Sequence, residues 1–177
     1  MTRRDATVSF AVMRIARTLA ALALAAAASA ASGQPAQAAP AAAFFGLTLL
    51  NASPEPIAPE EEARLAAAER RLVERLTEAG RFSFVDVAPV AQDAARFANL
   101  AHCNGCDTDM AQKLGADVAI TGELQKTSNL ILHLTVYVRD AATGEMIGGG
   151  SADIRGNTDD TWIRAVDYIV RNRMAAQ

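Results

Sequence analysis

The chain has 177 residues, 51% of them apolar and 5% aromatic, with 17 Lys+Arg against 20 Asp+Glu. That is one domain's worth of sequence, with apolar material for a packed core and too little charge for disorder throughout. A net charge of −3 without any basic cluster excludes a nucleic-acid binder, and two cysteines supply neither a disulfide scaffold nor a four-thiolate zinc site.

Arg14 and Arg17 precede an unbroken apolar run over residues 18–28, and small residues follow in two A-x-A arrangements, Ala28-Ser29-Ala30 and Ala36-Gln37-Ala38. A positive start, a short apolar stretch and a small-residue exit describe a secretory signal peptide over residues 1–38, cleaved after Ala30 or Ala38. The run is too short to span a bilayer, which takes about 20 apolar residues. Arg3-Arg4 fits a twin-arginine signal poorly because Asp5 and a polar stretch follow, and Met13-Arg14-Ile15-Ala16-Arg17 is already a complete signal start. No Cys stands at either cleavage site, so lipidation there is excluded. Export places the mature chain in the periplasm. Removing residues 1–38 takes away four Arg and one Asp, leaving 13 basic and 19 acidic side chains and a net charge of −6. No second apolar span follows, so no membrane crossing is expected of the mature chain.

Residues 43–50 are apolar on both alternations, as a central strand is. Pro54, Pro56 and Pro59 mark a loop, and Glu60-Glu61-Glu62 opens a helix to Ala79, with acids in the first turn suiting the dipole and Gly80 as C-terminal cap. Residues 82–87 read as a second strand and residues 107–114 as a short helix closed by Gly115. Three strands follow over residues 118–126, 130–140 and 146–155, then a helix over residues 159–174 with Trp162, Val166, Ile169 and Val170 facing inward. Asp160–Arg164 and Asp167–Arg171 have the spacing of helical ion pairs. The order β-α-β-α-β-β-β-α predicts a single α/β (α+β) domain over residues 39–177. Its mixed five-stranded sheet has the first three strands parallel and the last three antiparallel, with the helices packed on it.

In the strand over residues 130–140, Leu130, Leu132, Leu134, Val136 and Val138 alternate with Ile131, His133, Thr135, Tyr137 and Arg139, so one face is packed and the other wetter. A hairpin closed at Gly144, in the left-handed bulge position, pairs Thr135 with Ser151 and His133 with Asp153. A three-residue loop at 127–129 would set Glu123 opposite His133, giving a row of Glu123, His133 and Asp153 across three strands. Such a row could bind a metal, sense pH or serve a hydrolase or lyase; equally, it is an ordinary cross-strand charge pair that secures register. Gly148-Gly149-Gly150 marks a bulge, room for a ligand, or room for a helix side chain such as Trp162.

His102-Cys103-Asn104-Gly105-Cys106-Asp107-Thr108-Asp109-Met110 is the densest stretch chemically. A Cys103–Cys106 disulfide suits an exported chain. A thioredoxin-like site asks for a strand before the motif, which residues 94–101 do not supply. Capture of a soft metal ion by His102, Cys103 and Cys106, beside Met110, is the third reading. Haem attachment is excluded, because Asp107 stands where the motif needs His.

These segments resemble an exported bacterial family defined as a domain of unknown function. The resemblance rests on Cys103-Asn104-Gly105-Cys106, on residues 122–132 (Gly-Glu-Leu-Gln-Lys-Thr-Ser-Asn-Leu-Ile-Leu), on residues 138–144 and 153–159, on Trp162 and on Arg171-Asn172-Arg173. It covers essentially the whole mature chain and brings no activity or catalytic residue with it. For some relatives it implies a place beside periplasmic quinoprotein oxidation systems. At fold level the order is similar to the small α/β domain of the Tol-system periplasmic protein and of lipoprotein activators of cell-wall synthases, which act by binding partners.

No nucleophile–base arrangement and no phosphate loop is legible. The expectation is therefore a binding or adaptor module of the cell envelope, with no catalytic residue, no cofactor, and an envelope protein or small ligand as partner. Its binding surface would draw on Glu123, His133, Asp153, Arg155, Asn157, Asp159 and Arg173. The plainer role for some of these is capping, with Asn157 or Thr158 at the start of the last helix and Arg173 at its end. The alternative is a thiol-redox or metal-handling accessory protein that uses His102, Cys103 and Cys106.

Overall fold

The computed structural model describes residues 38–174, and residues 1–37 of the expected signal peptide lie outside the described residues. Five strands form one sheet in the order β2-β1-β3-β4-β5. They are β1 (Ala41–Asn51), β2 (Ser83–Phe84), β3 (Val118–Ser128), β4 (Ile131–Asp140) and β5 (Met146–Arg155). The helices are α1 (Pro59–Glu78), the single turn α2 (Ala91–Ala94), α3 (Cys106–Lys113) and α4 (Asp159–Arg173). β1 runs parallel to β2 and β3, whereas β3, β4 and β5 are mutually antiparallel. The second strand is shorter than residues 82–87, since only Ser83 and Phe84 pair with β1.

α1 and α4 cover one face of the sheet. Their inward residues, Ala68, Leu72 and Leu76 on α1 and Trp162, Val166, Ile169 and Val170 on α4, meet Ile120, Leu124, Leu132, Leu134, Val136 and Ile154 from the strands. Leu130 does not join this set. It lies 72% exposed in the β3–β4 turn. α4 is capped by Thr158, whose Oγ1 accepts from Thr161 N–H at 3.3 Å. The Asp160–Arg164 pair forms along α4. Asp167 instead accepts from Arg71 at 2.9 Å and lies 3.3 Å from Arg75, tying α4 to α1 rather than to Arg171.

β1 carries a bulge. Phe44 pairs with Ile120 and Leu47 with Gly122, so two residues, Phe45 and Gly46, oppose one on β3. Gly46 has φ of +86°, and the Leu47 N–H donates to Glu69 Oε1 at 2.8 Å, where a Cβ on Gly46 would crowd that oxygen.

The opposite face is only partly covered. α3 and the 3-10 turn Leu100–His102 lie over one end of it, where Ala43, Ala111, Ala116, Ala119 and Ala141 make a small second core. The small side chains let helix and sheet approach closely. Towards the far end of β3, β4 and β5 this face meets water.

Candidate functional site

Glu123 is the hub of the partly covered face. Its Oε2 accepts from Asn99 Nδ2 at 3.0 Å and lies 3.0 Å from His102 Nε2, while its Oε1 accepts from Tyr137 Oη at 3.1 Å. Burial pushes the Glu123 pKa up, but the hydrogen bonds from Asn99 and Tyr137 and the neighbouring His102 outweigh it and hold the carboxyl below its ordinary range. Burial and the same contact raise the Tyr137 phenol. Asn99 also caps the 3-10 turn, with Oδ1 accepting from Ala101 N–H at 2.9 Å. A depressed carboxylate with both oxygens engaged is a poor general base and an effective clamp.

The cysteine segment follows directly. Cys103 and Cys106 are paired in a disulfide with Cα atoms 5.6 Å apart, well inside the usual range. Asn104 and Gly105 between them take left-handed φ of 58° and 98°. Cys106 opens α3, and Cys103 is reached from a 3-10 turn rather than a strand. Beneath this loop Asp107 is 1% exposed; Arg139 donates to its Oδ2 at 2.7 Å and to the Ala101 carbonyl at 2.9 Å. With the sulfurs joined to each other, neither is available as a thiolate ligand or nucleophile. Among the described residues, no group of three or more His, Cys, Asp or Glu side chains is placed to hold a metal ion.

The expected row of Glu123, His133 and Asp153 does not form. His133 faces Asp153, with Nδ1 and Oδ1 2.8 Å apart, but its neighbour on β3 is Gln125, and Glu123 sits opposite Thr135. The physical reason is the turn. Ser128 pairs with Ile131, so the loop is the two residues Asn129-Leu130, and a bulge after Lys126 completes a two-residue shift. The β4–β5 register is as expected at Thr135–Ser151 and His133–Asp153, with Gly144 left-handed at φ of 74°. His133, Thr135, Ser151 and Asp153 therefore form a strip of sheet that begins beside Glu123 at Thr135 and runs out to the exposed Ser151 and Asp153 of β5.

The remaining surface residues divide. Asn157 is structural: its Oδ1 accepts from Trp162 Nε1 at 3.0 Å, and its Nδ2 donates to Glu61 and to Asn129. Asp159 accepts from Arg64 at 2.6 Å. Arg173 lies over the Tyr168 ring, 5.9 Å from its centroid, and crosses β5 where a Cβ on Gly150 would strike it, so Gly150 makes room for a helix side chain that is Arg173 and not Trp162, while Gly149 is left-handed against the Val136 backbone. Arg155 is exposed at the end of β5.

Sequence reasoning missed a buried ion pair. Glu61 and Lys126 each have 2% of the side chain exposed and lie 2.7 Å apart. Burial raises the Glu61 pKa, but Lys126, the Ala58 N–H and Asn157 together bring it below the ordinary value. Hydropathy gave no sign of it, because Glu61 reads as one of three acids in a helix's first turn.

The architecture is a small α+β domain whose fold recurs among solved bacterial proteins. The LpoB C-terminal domain from Salmonella enterica is 14% identical and superposes with a TM-score of 0.51, covering 69% of this chain and 87% of that one. Lipoprotein GNA1162 from Neisseria meningitidis is 18% identical, with a TM-score of 0.46 over 67% of this chain and 82% of that one. TolB from Acinetobacter baumannii is 13% identical, with a TM-score of 0.40 over 68% of this chain and 24% of that one. These likenesses speak to fold alone. The chain itself belongs to the family described as "Protein of unknown function (DUF2380)", which matches residues 40–174. No curated protein matches the sequence. No described helix is long and apolar enough to cross a membrane.

Proposed function

We propose that the mature chain works in the periplasm as a non-catalytic binding module of the cell envelope. One observation carries the reading: each buried or half-buried carboxylate is committed to internal bracing. Glu61 holds Lys126, Asp107 holds Arg139, and Glu123 takes Asn99, His102 and Tyr137. Groups poised for chemistry show the opposite pattern, with a raised or unsatisfied acid beside a cleft. What is left open to water is the strip of His133, Thr135, Ser151 and Asp153, together with the neighbouring outer strand. The Cys103–Cys106 pair, in this reading, staples the start of α3 and performs no exchange. The fold shared with the LpoB C-terminal domain names no partner.

A photoreactive residue at Ser151 in cells should give a discrete heavier adduct, while the same residue at Glu74, on the exposed side of α1, should give none. A Ser151 position that gives no adduct would overturn the reading, and so would a turnover that Glu123→Gln abolishes.

A further inference from the structure

The two edges of the sheet are protected very differently. β2 is two residues long and offers almost nothing to pair with. β5 is ten residues long, pairs with β4 on one side only, and contains neither Pro nor Lys to blunt its outer edge. Its first half is irregular, with a bulge between Met146 and Gly148 and Gly149 at φ of +129°. Its second half, residues 151–155, pairs in unbroken register with β4, so its outward N–H and C=O groups repeat at regular strand spacing over roughly 17 Å.

A groove of about 760 Å³ wraps this half-strand, with β5 as its floor and α4 as one wall. Its acids already have partners: Asp153 Oδ1 lies 2.8 Å from His133 Nδ1, and Asp167 is paired with Arg71 and Arg75. Arg155, Arg171 and Arg173, also in the lining, have no carboxylate partner among the described residues, and Arg164 adds a fourth guanidinium beside Asp160. A chain that is net acidic thus gathers unpaired positive charge along an unpaired strand. Main-chain groups supply affinity for any extended segment, and arginines select its charge and bind carboxylates in pairs of hydrogen bonds.

We infer that β5 docks an extended, acidic segment of another polypeptide, which adds to the sheet as a sixth strand beside residues 151–155. This deepens the binding-module reading and rests on it. A second copy of this chain fits less well, because a two-fold pairing of β5 edges would lay two α4 helices side by side, each presenting Arg164 and Arg171 to the other.

The test is fluorescence anisotropy of the full mature chain with three labelled, end-blocked peptides of alternating Thr/Val and charged residues. One carries Glu, one carries Lys at the same positions, and one carries Glu with alternate backbone nitrogens methylated. The Glu peptide should bind at least tenfold more tightly than the other two, and an R155E/R171E variant with an unchanged melting curve should lose that binding at least tenfold. Equal binding of the methylated peptide would overturn strand addition, equal binding of the Lys peptide would overturn charge selection, and self-association lost in R155E/R171E would assign the edge to a second copy. If the Ser151 adduct described above still forms while the Glu peptide fails, the edge proposal falls alone; if the adduct is absent too, the binding-module reading falls with it.

Discussion

On the helix-covered face of the sheet, Glu61 and Lys126 sit out of water with 2% of each side chain exposed. On the other face Glu123 keeps 17% of its side chain exposed and is held by Asn99, His102 and Tyr137, from a turn and a neighbouring strand. Both acids are fixed, by different means. Under α1 and α4 a large apolar core excludes solvent, so a charge survives only with its counter-charge in contact. Over β3 and β4 the cover is one short helix and a stapled loop, so the clamp works half in water and each bond contributes less. The comparison teaches that the first face carries stability and the second holds a surface segment in place.

Three measurements sharpen the contrast, and the largest effect belongs to the closed face. Lys126→Met leaves the Glu61 carboxylate buried without a partner and should cost about 3–5 kcal/mol in urea unfolding. The double change E61Q/K126M removes the stranded charge and should recover most of that loss; a double variant as unstable as K126M would show that packing, not charge, dominates there.

An intermediate effect is expected at the staple. Protein from the periplasm should weigh two hydrogens less than the dithiol form. Reduction should lower stability by about 2 kcal/mol, the loop entropy of so short a closed ring. Hydrogen exchange should quicken over residues 99–113 and stay unchanged in α1 and α4; quickening across all helices would make the staple part of the main core.

The smallest effect is at Glu123. Its folded pKa lies below the ordinary value of 4.5, so its contribution is present above that value and is lost as pH falls through the lowered folded value. Glu123→Gln should cost about 1–2 kcal/mol near neutral pH and nothing once the wild-type carboxyl is protonated, flattening the acid limb of stability against pH. Glu61 titrates in the same sense, so the limb should shrink without vanishing. An unchanged limb would remove Glu123 from the account.

Much of the architecture is legible in the residues because hydrophobic period and turn chemistry agree. The α4 face of Trp162, Val166, Ile169 and Val170, the parallel-then-antiparallel sheet and the left-handed Gly144 follow from local signals, whereas the β4–β5 turn is wider than a three-residue loop and a bulge at Ile147 restores the expected register. The Glu123–His133 pairing failed for a physical reason: a two-residue slip preserves every side chain's face, so the apolar pattern cannot detect it, and only the turn decides. Leu130 looked like strand because it is apolar, yet it occupies the turn. The Asn99, His102, Glu123 and Tyr137 cluster joins segments far apart in sequence, and the Glu61–Lys126 pair is invisible to any hydropathy reading. The Asn99 cap was the one local clue, since an Asn two residues before a turn N–H commonly fixes the chain there.

The bulge in β1 has a further consequence. A strand flanked on both sides is ordinarily the last place where a chain tolerates a change of length, since losing one residue inverts everything beyond it. Here Phe44 and Leu47 already point to the same side because one residue between them is surplus to the pairing. Deleting Gly46 would leave Leu47 and Leu49 facing the helices as before, and the loss would fall on the contact with Glu69. The centre of this sheet thus contains a position where removing one residue keeps the facing of everything beyond it, a kind of tolerance usually confined to loops.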